Sequence, residues 1–218
     1  MSGVAQQDVE EFKGMCVSAR ATFLHFEILF PPDAGSRRAL LARVAPIFFD
    51  DLNLLLLHAI VLHVCRLTDP QGKGNRVNLT VEYLSKNADF GTDTATAARV
   101  AVLESSMSAF RSKIEPARNK FISHVDRAAV HDGKNLGAAT DGEWRQFWND
   151  LEEFLQHLSR RYIDPDDHFR LGEIHGMTDA DQLVKALWES LALKEIMADP
   201  RIGDTAVQMV LDSPWRNT

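Results

Sequence analysis

The chain has 218 residues, 45% of them hydrophobic and 25% charged, an ordinary globular composition with enough apolar material for a core. Asp and Glu number 31 against 24 Lys and Arg, for a formal net charge of -7. That excludes a protein coating nucleic acid along a broad basic face, while leaving room for a small local basic site. The cysteines are Cys16 and Cys65, without paired spacing, so neither a disulfide framework nor a zinc knuckle is expected and a reducing compartment fits.

The start, MSGVAQQDVEEFKGM, is acidic and polar and lacks the basic opening and apolar run of a signal peptide. Residues 4–30 carry Phe12, Met15, Ala19, Phe23 and Phe26 near helical spacing, and Pro31-Pro32 ends that element. A second helical segment covers residues 36–67, with a bend expected at Pro46. Its second half, FFDDLNLLLLHAIVLHVCRL, is apolar almost all round and reads as a buried central helix, or alternatively as a helix that packs against a second copy. Its apolar core, residues 52–65, is interrupted by Asn53, His58 and His63. It falls short of the roughly 20 residues a bilayer requires, so no membrane span and a cytoplasmic location are expected.

The polar loop DPQGKGNR follows, then a short helix after Asn78 ending near Asn87. Residues 94–114 form a helix with Val100, Leu103, Met107 and Phe110 inward. Pro116 is expected to interrupt it and to open a new helix over residues 115–130, because Pro suits the first helical position. After the loop DGKNLGAATDG, Thr140 and Glu143 form a capping box that opens a helix carrying Trp144, Phe147, Leu151, Phe154, Leu158 and Tyr162, stopped at Asp164-Pro165. Thr178 and Asp181 repeat the capping signal before a further helix closed by Pro200, and a last short helix starts at Asp204. Strand signals are nearly absent. The fold class is therefore all-α.

On the helix placed at 115–130, Arg118 lies amid the apolar stripe, with Ile122 about 40° and Val125 about 20° away. A guanidinium there keeps its charge and must find a partner. In a first turn it would sit where free N–H groups and the dipole favour an anion, as a phosphate clamp. His124 lies at the border of that face, about 9 Å away along the axis, and is the natural proton-transfer group near neutral pH. The bland alternative is that Arg118 pairs with a carboxylate, Asp69 or Asp50, and that His124 is a border residue.

The string RNKFISHVD resembles the signature of the HEPN superfamily, an Arg, a polar residue and a following His on a late helix of a four-helix bundle. The block IFFDDLNLLLLHAIVLHVCRLTDP, a Gly-rich loop and VNLTVEYL are similar to its AbiU-like abortive-infection branch. The resemblance covers roughly residues 12–130. It implies a HEPN-like four-helix bundle core over residues 1–135; the additional C-terminal helices over 136–218, which the motif does not explain, are expected to pack on the same domain. It further implies a homodimer with the motif of two chains lining a shared cleft, and Arg118, Asn119 and His124 as catalytic residues. The activity implied is that of a metal-independent endoribonuclease of toxin–antitoxin, abortive-infection or other antiviral systems, acting on RNA beside an antitoxin or nucleotidyltransferase partner. The other reading is a non-catalytic helical dimer that binds a partner protein or a nucleotide.

Elsewhere the signals are structural. His58 and His63 lie about 140° apart on their helix and do not face one ligand. GKGN lacks the Gly-Lys-Ser/Thr of a phosphate loop and reads as a turn. Trp144 and Trp148 are packing residues, and Asp50-Asp51 a pair that is solvated or answers a nearby Arg. No metal or cofactor site is expected.

Overall fold

A computed structural model describes residues 3–31, 35–74, 76–119, 139–172 and 179–198. Helix α1 (Gln6–Leu29) opens where the Asp8 carboxylate accepts the Ala5 N–H at 2.8 Å. It buries Val9, Phe12, Cys16, Ala19 and Phe23 along one stripe at helical period, and ends just before Pro31. Helix α2 (Gly35–Val44) and helix α3 (Pro46–Thr68) are separate helices. The break falls at Ala45, which Pro46 drives out of the helical region (φ -157°, ψ 78°) while itself fitting the first position of α3.

The loop after α3 contains a two-residue antiparallel hairpin that sequence patterning did not suggest: β1 (Gly72–Lys73) pairs with β2 (Arg76–Val77). Gly72 adopts φ +85°, and a Cβ there would meet the Arg76 carbonyl oxygen at 2.2 Å, so only glycine fits this turn. Helix α4 (Val81–Asn87) is capped by the Thr80 hydroxyl accepting the Tyr83 N–H. Helix α5 (Thr94–Ala117) is capped by Asp93, whose carboxylate accepts the Thr96 N–H at 2.9 Å. Helix α6 (Asp141–Tyr162) opens with the expected Thr140–Glu143 capping box, and helix α7 (Asp179–Met197) follows. Thr178, Pro200 and the segment after Asp204 lie outside the described residues.

Pro116 does not interrupt a helix. Helix α5 runs through it to Ala117. The ring costs one N–H bond, but in the last turn, where the fewest bonds remain to be broken.

One apolar cluster holds α1, the second half of α3, α4, α5 and α6 together. Phe12, Phe147, Phe154, Ile60, Leu67, Leu84, Leu103, Met107 and Leu151 are less than 2% exposed within it. Phe23, Phe110, Trp144, Phe147 and Trp148 pack together in stacked, tilted and edge-to-face pairs with ring centroids 4.8–5.3 Å apart. Helix α6 thus supplies more of this core than any single helix before residue 135. A smaller cluster, Leu29, Leu40, Ala180 and Val184 with Leu52, Leu56, Leu187 and Leu191 against it, joins the end of α1 to α2, the first half of α3 and α7.

Helix α3 is not buried along its length. Its second half is. Its first half leaves Ile47 77%, Phe48 59%, Leu54 53% and Leu55 64% exposed. A sequence apolar all round names no inward face, so periodicity could not reveal this difference. By length and composition α3 would suffice to cross a membrane.

Candidate functional site

The end of α5 meets the end of α3. Asp69 is the C-cap of α3, in extended backbone (φ -60°, ψ 152°), so its carboxylate leaves the helix end and reaches across to α5. The Arg118 Nη1 donates to Asp69 Oδ1 at 2.6 Å and its Nη2 to Glu115 Oε1 at 3.3 Å. The Arg118 Nε donates to Asn119 Oδ1 at 3.0 Å, and the Asn119 amide reaches Glu115 Oε1 at 3.5 Å.

A second guanidinium completes the group. Arg111 Nη2 lies 3.0 Å from Asp69 Oδ1 and 2.9 Å from Glu115 Oε1. Its Nε is buried with no hydrogen-bond partner among the described residues. Arg111, Glu115 and Arg118 share one face because they are spaced near whole helical turns. That spacing was readable in the sequence, but nothing local told which acid the pair would meet. Two permanent cations thus share two carboxylates, which keeps the cluster close to neutral while it is half buried.

The electrostatics follow from this packing. Burial pulls the Arg118 pKa down, but the hydrogen bond and charge of Asp69, aided by Glu115, outweigh it and hold the pKa above its usual value. The neighbouring Cys65 thiol is pushed up to about 11, first by burial, with Arg118 and Arg111 opposing. Cys65 is therefore a neutral packing residue. Cys16, likewise buried and free, is also raised by desolvation.

The placement of Arg118 corrects one expectation. It stands at the C-terminal end of α5, with its N–H donating to the Ile114 and Glu115 carbonyls, and not in the first turn of a helix. Arg118 does make the ion pair with Asp69 that was one alternative, and Asp50 takes no part. Asn119 lies beside it. His124 lies outside the described residues, as does most of the 115–130 segment.

Among the described residues no group of three or more His, Cys, Asp and Glu is placed to hold a metal ion. His63 is lowered by burial, with Arg66 adding to the shift. A cavity of about 460 Å³ lies between α1, α3 and α6, lined by Phe23, Phe26, Phe30, Trp144, Glu27 and Arg145 among others. It is remote in character from the Arg118 cluster, being mostly aromatic.

Chemically, the cluster can do two things. It can fasten α3 to α5. It can also offer Arg118 to an anion, if a phosphate replaces Asp69 or Glu115 as partner of the fork. The family model HEPN_AbiU2, described as AbiU2, matches residues 6–193. No curated protein and no solved structure matches the chain.

Proposed function

The chain belongs to the AbiU2 family of HEPN proteins, and on that premise we propose that it is a metal-independent endoribonuclease of a prokaryotic defence or toxin system. The membership points to ribonuclease or abortive-infection roles, and the residues carry the finer reading. Arg118 and Asn119 match the first positions of the motif and sit side by side at the end of α5. That adjacency is the observation on which the proposal rests.

In this mechanism His124 accepts the proton of a ribose 2′-hydroxyl, and the 2′-oxygen attacks the adjacent phosphorus. The bond to the 5′-oxygen breaks, and that oxygen takes up a proton as it leaves. The products are a 2′,3′-cyclic phosphate and a free 5′-hydroxyl. Arg118 exchanges a carboxylate partner for the phosphate and stabilises the charge that grows on its oxygens. Asn119 orients that guanidinium through its Oδ1. The protein works in the cytoplasm as a homodimer, with RNA as substrate and an antitoxin or nucleotidyltransferase as partner.

The test is cleavage of varied RNAs in EDTA by the purified protein and by His124→Ala. Cleavage by the parent, lost in the variant and leaving cyclic phosphate ends, supports the proposal. Equal inactivity of both sinks it.

The ion pairs of Arg118 favour one second reading: a non-catalytic helical dimer that binds a partner protein or nucleotide, with Arg118 holding the fold. Here Arg118→Ala would cost several kcal/mol, as the loss of one member of a half-buried pair does. A near-unchanged melting curve favours the nuclease instead.

A further inference from the structure

The cavity of about 460 Å³ between α1, α3 and α6 is of a size that takes a small organic molecule. Phe23, Phe26, Glu27 and Phe30 reach it from one face of α1, at helical spacing. Phe23 and Ile60 are buried and form its floor, and Phe26, Phe30 and Trp144 are half-buried and form its walls. Glu27, Leu57, Asp141 and Arg145 are exposed at its mouth. An apolar interior with a few charged groups at the opening suits a ligand that has a greasy body and one polar end.

The charges at the mouth decide the sign of that end. Two carboxylates stand there against one guanidinium. Arg145 already commits its Nε to the Asp141 backbone carbonyl, at 3.2 Å. The Glu27 carboxylate makes no ion pair or hydrogen bond among the described residues. Partial desolvation raises its pKa, with Asp141 adding to the rise and Arg20 and Arg145 opposing it. Negative charge is therefore under-compensated at this opening. The aromatic walls act in the same sense, because ring faces attract cations. The same aromatic cluster already holds one cation in this way. The guanidinium carbon of Arg20 lies 5.4 Å from the Phe23 centroid and 5.2 Å from that of Trp148.

We propose that this cavity binds a small organic cation, an ammonium group carried on an aromatic or other apolar body. The body fills the space between Phe26, Phe30 and Trp144, and the ammonium lies at the mouth against Glu27 and Asp141. An anion is the poorer occupant, since it would meet both carboxylates with one guanidinium to answer them. An uncharged apolar molecule would fill the same space but leave Glu27 without a partner. The site shares no residue with the Arg118 cluster and does not rest on the nuclease reading.

The test is isothermal titration calorimetry on the full chain near neutral pH, with three probes that share a phenyl body: phenethylammonium, uncharged phenethyl alcohol and the anion hydrocinnamate. Phenethylammonium is expected to bind with a Kd below about 1 mM, and at least about 10-fold tighter than either of the others. Glu27→Gln, at an exposed residue, should weaken it about 10-fold and leave phenethyl alcohol unaffected. Leu57→Trp, which fills the mouth from an exposed residue, should abolish binding of the amine. Glu10→Gln removes an exposed charge elsewhere on α1 and should change nothing. Helical circular dichroism confirms that each variant is folded, and should Glu27→Gln unfold, Leu57→Trp and the three-probe comparison decide. Four results overturn the proposal. Equal binding of the three probes would make the cavity merely apolar. Tighter binding of hydrocinnamate would make it an anion site on Arg145. Amine binding that survives both Glu27→Gln and Leu57→Trp would place the amine elsewhere. Absence of heat with every probe up to about 10 mM would mean that the cavity takes no such ligand.

Discussion

Ile60, Val64, Cys65 and Leu67 in the second half of α3 are at most 1% exposed, whereas Ile47, Phe48, Leu54 and Leu55 in the first half leave more than half their surface to solvent. The residue types hardly differ. What differs is the number of neighbours available. The second half is surrounded by α1, α4 and α5, with α6 completing the core behind them. Among the described residues the first half has α2, α7 and the end of α1, whose shared cluster is small. Hydrophobic sequence therefore marks where burial is sought, and the surrounding helices decide whether the chain supplies it alone.

The comparison can be broken most directly by equal substitutions in the two halves. Leu67→Ala should lower unfolding free energy by about 2–5 kcal/mol, since the core cannot fully close over the void. Leu54→Ala should change it by less than about 0.5 kcal/mol at concentrations where the chain is monomeric. Chemical denaturation of both variants measures the contrast, and similar costs would refute it.

Next is the polar fastening at the buried end. Asp69→Ala leaves two guanidinium groups with Glu115 between them, and is expected to cost about 1–3 kcal/mol in the same assay. Thr140→Ala removes the hydroxyl that accepts the Glu143 N–H at the start of α6. About 1 kcal/mol should be lost, seen as a lower melting temperature.

The smallest effect lies at the surface. The hydrogen bond from Lys113, with those from Thr140, holds the Glu143 carboxyl at about 2, against roughly 4.3 when unfolded. A depressed acid contributes stability that is complete above the unfolded value and fades as pH falls through the folded one. Acid titration of the parent should thus show a stability loss between about pH 4 and about pH 2 that Glu143→Gln reduces. A profile unchanged by that substitution would refute the assignment.

Much of the helical skeleton was legible in the residues themselves. Phe12, Ala19 and Phe23, or Phe147, Leu151, Phe154 and Leu158, declare an inward face by spacing, and Thr140 with Glu143 marks a start chemically. The segment around Pro116 was not, because local preference for a new helix competes with continuation of an existing one, and only packing arbitrates. At the candidate site, Arg118 and Asn119 were visible as types in a pattern. The sharing of Asp69 with Arg111 was not, since it joins residues 42 and 49 positions apart in sequence through the meeting of two helix ends. The exposed half of α3 was hidden for the opposite reason: with apolar residues on every side, the sequence offered too many faces.

Gly72 has a reach beyond its own turn. Its backbone bends the loop so that the Gln71 N–H meets the Glu82 carboxylate and the Asn78 N–H meets the Gln71 carbonyl. A single methyl group at this residue would wedge against the Arg76 backbone, loosening the clasp that follows Asp69 directly. One carbon atom on a surface loop would then slacken the anchor of both arginines, a lever arm whose fulcrum carries no side chain at all.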